Sequence, residues 1–400
     1  MAVASGLDVL CAERLDLCRG RRVSVLCHPA SVDAQLIHVV DRLTAAGVRP
    51  VRLFGPEHGV RGEAQDMVSV DGERDGRTGI PVTSLYGKSL GSLQPTQEAL
   101  ADTDVLLVDL QDIGTRYYTF VWTMALSMQA AARAGVAVVV LDRPNPLGGS
   151  AIEGGEIEPG YDSFVGLASL PVRHGLTIAE VARMVRAGIS WGEPRFASPL
   201  DVDLTVVPMR GWRRHDFYEA TALPWVIPSP NMPTVDTAFV YPGLCLVEGT
   251  NVSEGRGTTR PFEIIGAPFI DGFRLAERLA GHRLRGVLFR PLWFRPTFHK
   301  FAGQVCGGIQ VHVTDRTVFQ PYRCGVAILR ELREVGGESF RWRCEPYEFV
   351  SDRPAIDLLS GSDALRTGIE GGLSLAALEA TWLPAQRRFA ERRQSSLLYR

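Results

Sequence analysis

Three short segments place carboxylates where the chain is about to turn. Gly55-Pro56-Glu57-His58-Gly59 follows an apolar run ending at Phe54, Asp109-Leu110-Gln111-Asp112 follows a second, and Asp142-Arg143-Pro144-Asn145-Pro146 follows a third. The chemistry such groups offer is proton transfer, given a suitable pKa. A lone aspartate after a strand is most often a cap or a turn former. Glu57 is the most telling of the set, because glutamate is not a favoured turn residue and here stands between Pro56 and Gly59, where the backbone bends to present a side chain.

A second cluster lies far downstream, from Glu248 through Asn251, Glu254 and Arg256 to Arg260-Pro261. Its glycines lack the GxxxxGK[ST] spacing of a phosphate loop. What it offers instead is carboxylates, amides, hydroxyls and guanidinium groups on a pliable backbone, a mixture suited to a polyhydroxylated ligand with one negative charge. The eight histidines include no HxH, HExxH or i,i+4 pair, so neither a metal site nor a cofactor is expected. No GxSxG elbow announces a serine nucleophile. Of the aromatic residues Tyr117, Tyr118, Phe120 and Trp122, most are expected in the core, with one or two near the strand end able to stack on a sugar face.

The elements that must position these groups alternate in kind. β-Branched runs predict strands at Arg22 to Cys27, Pro50 to Phe54, Asp104 to Leu110 and Val136 to Leu141. Helical spacing predicts helices at Val32 to Ala46 and Thr119 to Ala134, the latter closed by Gly135. Thr177 with Glu180 reads as a capping box opening a helix from Ile178 to Ala187. This is an α/β layout with a Rossmann-like, mostly parallel sheet, in which ligands bind beyond the carboxyl ends of the strands. The run Pro224 to Pro233, PWVIPSPNMP, admits neither helix interior nor central strand. A division into residues 1–228 and 229–400 is expected there. The second part reads as a smaller α+β domain, with strands at Gly308 to Val313 and Glu345 to Val350 and a helix from Leu375 to Arg393.

Composition narrows the function classes. Forty-three Lys and Arg against 45 Asp and Glu, a net charge of −2, give no basic excess for a nucleic acid, and no apolar run approaches the roughly 20 residues of a membrane span. Asp8, Glu13 and Asp16 interrupt any signal-peptide core, and seven cysteines without a CxxC pair suggest reduced thiols, so a cytoplasmic protein is expected.

At these motifs the sequence resembles the NamZ/YbbC family, exo-acting β-N-acetylmuramidases that remove terminal N-acetylmuramic acid from peptidoglycan fragments. The matching stretches are FGPEHGVRGEAQ, TGIPVTSLYG, LLVDLQDIGTRYYTF, LDRPNPLGG, IPSPNMP, EGTNVSEGRGTTRPFEIIGAP and FHKFAGQVCGGIQVHVTDR, in that order. The resemblance implies a cleft between a Rossmann-like domain and a smaller one, with Glu57 of the PEHG motif as the leading catalytic residue.

Cleaving a glycosidic bond then calls for Glu57 as acid, with His58 orienting it, and for a second group among Asp109, Asp112 and Glu254. A carboxyl separation of roughly 5 to 5.5 Å would mean retention, and about 6.5 to 9.5 Å inversion. Arg116 and Arg256 are the expected partners of the lactyl carboxylate, since arginine binds carboxylates two-toothed. Gln111, Tyr118, Asn145 and Asn231 from the first part, with Glu248 and Asn251 from the second, complete the expected contacts to muropeptides such as a MurNAc-GlcNAc disaccharide. The competing readings are a non-catalytic muropeptide-binding or sensing protein and a hydrolase of a nucleotide or phosphorylated metabolite. Against the latter, Cys27-His28-Pro29-Ala30 stands where a GxGxxG fingerprint would follow the first strand.

Overall fold

The most apolar short runs become the centre of a parallel sheet. In the computed structural model, which describes residues 2–61, 74–87, 89–189 and 196–400, Val23–Cys27 (β1), Val105–Asp109 (β4) and Ala137–Leu141 (β5) are buried at every position. Strands covered on both faces require such unbroken apolar runs. Arg52–Gly55 (β2) and Val82–Ser84 (β3) extend the sheet on one side, and Leu204–Val207 (β6) on the other. The order is β3-β2-β1-β4-β5-β6 with every pair parallel. Strand order therefore reverses between β1 and β4, where Cys27 pairs with Asp109. The loops leaving these two strands diverge to opposite sides and open a crevice.

Two predicted helices match their signals closely. Phe120–Ala134 ends on Gly135 in the left-handed conformation (φ 67°), and Ile178–Ala187 opens with the Thr177/Glu180 capping box, both of its reciprocal bonds present. Val32 to Ala46 is only partly helical. The helix begins at Val39, because Asp33 turns its Oδ1 to accept from Gln35 N and Ile37 N (2.9 Å each) and so folds residues 33–37 into a loop. The edge strands β3 and β6 were not predicted, each being only three or four residues long.

The second region is built on a three-stranded antiparallel sheet, Ile264–Ala267 (β7), Val287–Phe294 (β8) and Cys306–Val313 (β9), in the order β7-β9-β8. Helices Pro321–Gly336 and Leu375–Arg392 accompany it. Glu345 to Val350 is not a strand. It is a tight turn closed by a Tyr347–Val350 bridge, with Glu348 and Phe349 at φ 47° and 68°, values incompatible with extended backbone. One continuous apolar core joins the two regions, running from Leu26 and Val108 through Trp122 and Val185 to Leu244, Ile328, Leu358 and Phe389. The chain end returns to the parallel sheet, where the Tyr399 hydroxyl donates to Asp142 (2.5 Å) at the end of β5. Among the described residues no helix is long and apolar enough to cross a membrane.

Candidate active site

The PEHG segment is a tight turn at the end of β2. Gly59 N donates to Pro56 O at 3.0 Å, and His58 takes φ 73°, a left-handed conformation that a non-glycine residue holds only under constraint from its surroundings. Gly55 permits the fold-back, since a Cβ there would lie 2.8 Å from Val60 N. The turn carries Glu57 to the crevice, where 9% of the residue remains exposed. Its Oε2 accepts from the Thr119 hydroxyl at 3.0 Å. Thr119 precedes helix Phe120–Ala134 but makes no side-chain cap to it, so its hydroxyl serves the glutamate instead. Residues 62–65, the end of the FGPEHGVRGEAQ stretch, lie outside the described residues.

At the switch point the ends of β1 and β4 are tied together by His28. Gln111 N donates to its Nε2 at 2.9 Å, which places the proton on Nδ1, 3.3 Å from Pro228 O. Burial and, next, Arg143 hold the ring well below the usual imidazole range, so it is neutral. The Gln111 side chain donates to Asp112 O and Pro144 O and thereby ties the loop after β4 to the loop after β5. Asp112 Oδ2 accepts from Gly114 N at 2.6 Å, while its Oδ1 is buried with no hydrogen-bond partner. Burial pushes Asp112 up to about 7, against the lowering effect of the Gly114 and Ile113 amides.

Facing Asp112, His174 Nε2 stands 3.8 Å from Oδ2. Leu176 N donates to its Nδ1, and burial brings the ring down to about 3, so this histidine is neutral and carries its proton on Nε2. Tyr118 closes the same space. Burial first, then Asp112 and Glu57 nearby, raise its hydroxyl well above 10, and Ser229 of the proline-rich run faces it. Asn231, in that run, has a buried Nδ2 with no hydrogen-bond partner. Glu57, Asp112 and Tyr118 are thus brought together, with uncommitted polar atoms beside them. Buried polar atoms lacking a partner mark where a ligand or ordered water completes the bonding.

The opposite wall comes from the second region. Tyr241 packs edge-on to Tyr118 (ring centroids 6.0 Å) and to Phe262 (4.7 Å), over which the Arg256 guanidinium lies at 5.2 Å. Arg256 Nη2 donates to Glu248 Oε1 at 2.8 Å, and Glu248 Oε2 accepts from the Tyr347 hydroxyl at 2.7 Å. Glu254 is fully buried. Burial alone would raise it, but Lys300, Arg256 and His299 outweigh that and hold it at about 2.

Five expected site residues serve other ends. Asp109 is locked to Arg143 by a two-toothed pair (2.5 and 2.8 Å) inside the sheet, so it cannot activate water. Arg116 does not reach the crevice. It is wholly buried, and its guanidinium donates to the carbonyls of Gly155, Leu170 and Leu359, a tie between the two regions. Asn145 is spent on Leu176 O and Leu147 N (2.9 Å each), and Asn251 on Ser339 O and Arg341 N (2.9 Å each). Glu254, clamped by three cations, is no acid or base near neutrality. Sequence reasoning passed over His28, Thr119, His174, His299 and Lys300. His28 directly follows a strand end, and Thr119, His299 and Lys300 lie within the quoted family-like stretches, so those were the available signals; His174 has none.

Comparison with known proteins now bears on this arrangement. Residues 23–236 match the family model described as exo-β-N-acetylmuramidase NamZ, N-terminal, and residues 239–399 match its C-terminal counterpart. The chain belongs to the NamZ family. It is 43% identical over 398 residues to the peptidoglycan β-N-acetylmuramidase NamZ of Bacillus subtilis (strain 168), covering 99% of this chain and 91% of that one. Two crystal structures of DUF1343 family proteins from Bacteroides fragilis NCTC 9343 share the fold across the whole chain. Their TM-scores are 0.88 and 0.78 at 33% and 28% identity, with 99% of each neighbour covered. In this NamZ family member the two stretches approach each other through the contact of Tyr118, near Glu57, with Tyr241, which packs on Phe262 under Arg256.

Proposed function

We propose that the chain is an exo-acting glycosidase that releases terminal, non-reducing N-acetylmuramic acid from peptidoglycan fragments by cutting the β-1,4 bond to N-acetylglucosamine. The observation that carries this reading is that Glu57 and Asp112 both act on Tyr118 near the switch point of a chain related over its full length to a muramidase. Glu57 protonates the departing oxygen. Asp112, with one uncommitted oxygen, is the second carboxyl, acting on water, on the cation-like centre or on the 2-acetamido group.

One observation favours the reverse assignment. Asp112, raised to about 7, is poised to hold and give a proton near neutrality. An activated aryl muramide separates the two, since a good leaving group needs little protonation. Whichever variant, Glu57→Gln or Asp112→Asn, is rescued by that substrate has lost the acid.

Activity itself is tested with a MurNAc-GlcNAc disaccharide and chromatography of the products. Binding without release of free sugar would reduce the protein to a muropeptide sensor. We place the reaction in the cytoplasm, on imported fragments, where the seven free thiols stay reduced.

A further inference from the structure

N-acetylmuramic acid differs from N-acetylglucosamine by a lactyl ether that ends in a carboxylate, and discrimination requires a cation where that group arrives. With Arg116 consumed in the core and Arg256 held between two glutamates, the partner must be sought elsewhere. We propose that His299, at the tip of the β8–β9 hairpin, is the residue that meets the lactyl carboxylate, with Glu254 behind it. The proposal rests on the muramidase reading and names the specificity group within it.

The hairpin tip is fastened to the EGTN loop on both sides of His299. Thr297 donates through its N and its Oγ1 to Gly257 O (2.9 Å each), and Lys300 Nζ donates to Val252 O (3.0 Å) and Glu254 Oε2 (2.9 Å). The approach is so close that a Cβ on Gly257 would stand 2.7 Å from Phe298 N and O. Between these anchors His299 adopts φ 66°, a left-handed conformation that the surrounding bonds must sustain. The backbone at His299 is thereby held against the EGTN loop.

Its Nδ1 lies 3.3 Å from Glu254 Oε1, the oxygen that Arg256 Nε also approaches at 3.3 Å. A carboxylate beside Nδ1 accepts its N–H and orients the ring, leaving Nε2 on the far side. Of the three cations around Glu254, Arg256 and Lys300 are largely buried, whereas the His299 side chain is 35% exposed. No described residue bonds its Nε2. Glu248 and Glu254 are engaged by Arg256 and Lys300, and His299 acts on Glu254 as a further basic neighbour, the one through which an incoming carboxylate is met.

The test is calorimetric binding of three sugars to the full-length protein: N-acetylmuramic acid, its lactyl amide and N-acetylglucosamine. The wild type should prefer the free acid over both neutral sugars by about tenfold or more. His299→Asn, chosen because asparagine tolerates a left-handed backbone, should lose that preference while holding the neutral sugars unchanged. On the disaccharide the same variant should raise KM and leave kcat near wild type. Undiminished preference in His299→Asn, equal weakening toward all three sugars, or no preference in the wild type would each overturn the assignment. A protein that prefers the acid through His299 yet releases no product would instead sink the hydrolase reading and leave this one standing.

Discussion

The two walls of the crevice handle charge in opposite ways. On the parallel-sheet side, Asp112 keeps an oxygen without a partner, its pKa is pushed up to about 7, and His28 and His174 beside it are neutral. On the antiparallel side Glu248 and Glu254 both face basic side chains, so that Glu254 is held at about 2 and Glu248 is bonded at both oxygens. Proton transfer needs a carboxyl able to change charge at working pH, whereas recognition of an anion needs surroundings whose own carboxylates are already neutralised. The difference assigns chemistry to the first wall and recognition to the second.

Cutting the tie between the walls should have the largest effect. Arg116→Met leaves three buried carbonyls without a donor, at roughly 1 to 3 kcal/mol each. A loss of about 3 kcal/mol or more in stability is expected in thermal or denaturant unfolding. The ratio of muramide to glucosaminide turnover should not move, and a changed ratio would return Arg116 to the site.

On the chemical wall, Glu57→Gln should lower kcat a hundredfold or more, about 2.7 kcal/mol of barrier or beyond. Retention of most of the rate would remove Glu57 from the mechanism. Asp112→Asn should also slow turnover, yet it should stabilise the fold at high pH. A carboxyl whose folded pKa is raised binds its proton more tightly folded than unfolded. The free energy it contributes is therefore lost as pH climbs from the ordinary carboxylate value, near 4, to about 7. The melting temperature of Asp112→Asn should exceed wild type at pH 8, with the gap closing by pH 5. A constant offset across that range would mean that the carboxyl is not held protonated.

The recognition wall should respond more weakly and in a different parameter. Glu248→Gln loosens Arg256 and Tyr347 together, and a rise in KM of roughly five- to tenfold with little change in kcat is expected, as for lost uniform binding. A fall in kcat matching that of Glu57→Gln would erase the distinction between the walls.

Much of the first wall was legible because its residues lie next to strand ends. Apolar runs locate β1, β2, β4 and β5, and strand-end loops converge wherever the order reverses, so Glu57, Gln111 and Asp112 follow from local pattern alone. The second wall was legible only as a polar, glycine-rich cluster. Its ligand-facing member on the present proposal, His299, belongs to a hairpin tip about 45 residues further on, and no periodicity reports which loop a hairpin tip will touch. Arg116 illustrates the same limit from the other side. An arginine two residues past Gly114 reads as a site cation, and only the arrival of Gly155, Leu170 and Leu359 around it makes it structural.

Residue order alone therefore determined the α/β class, the central strands, the capping-box helix and the turn that presents Glu57, because each depends on forces acting within a few neighbours. Tertiary structure decided which carboxyl remains uncommitted, which arginine is consumed and which histidine is backed by a glutamate. Those outcomes turn on desolvation and on partners brought in from hundreds of residues away, and a charge takes its character from what surrounds it.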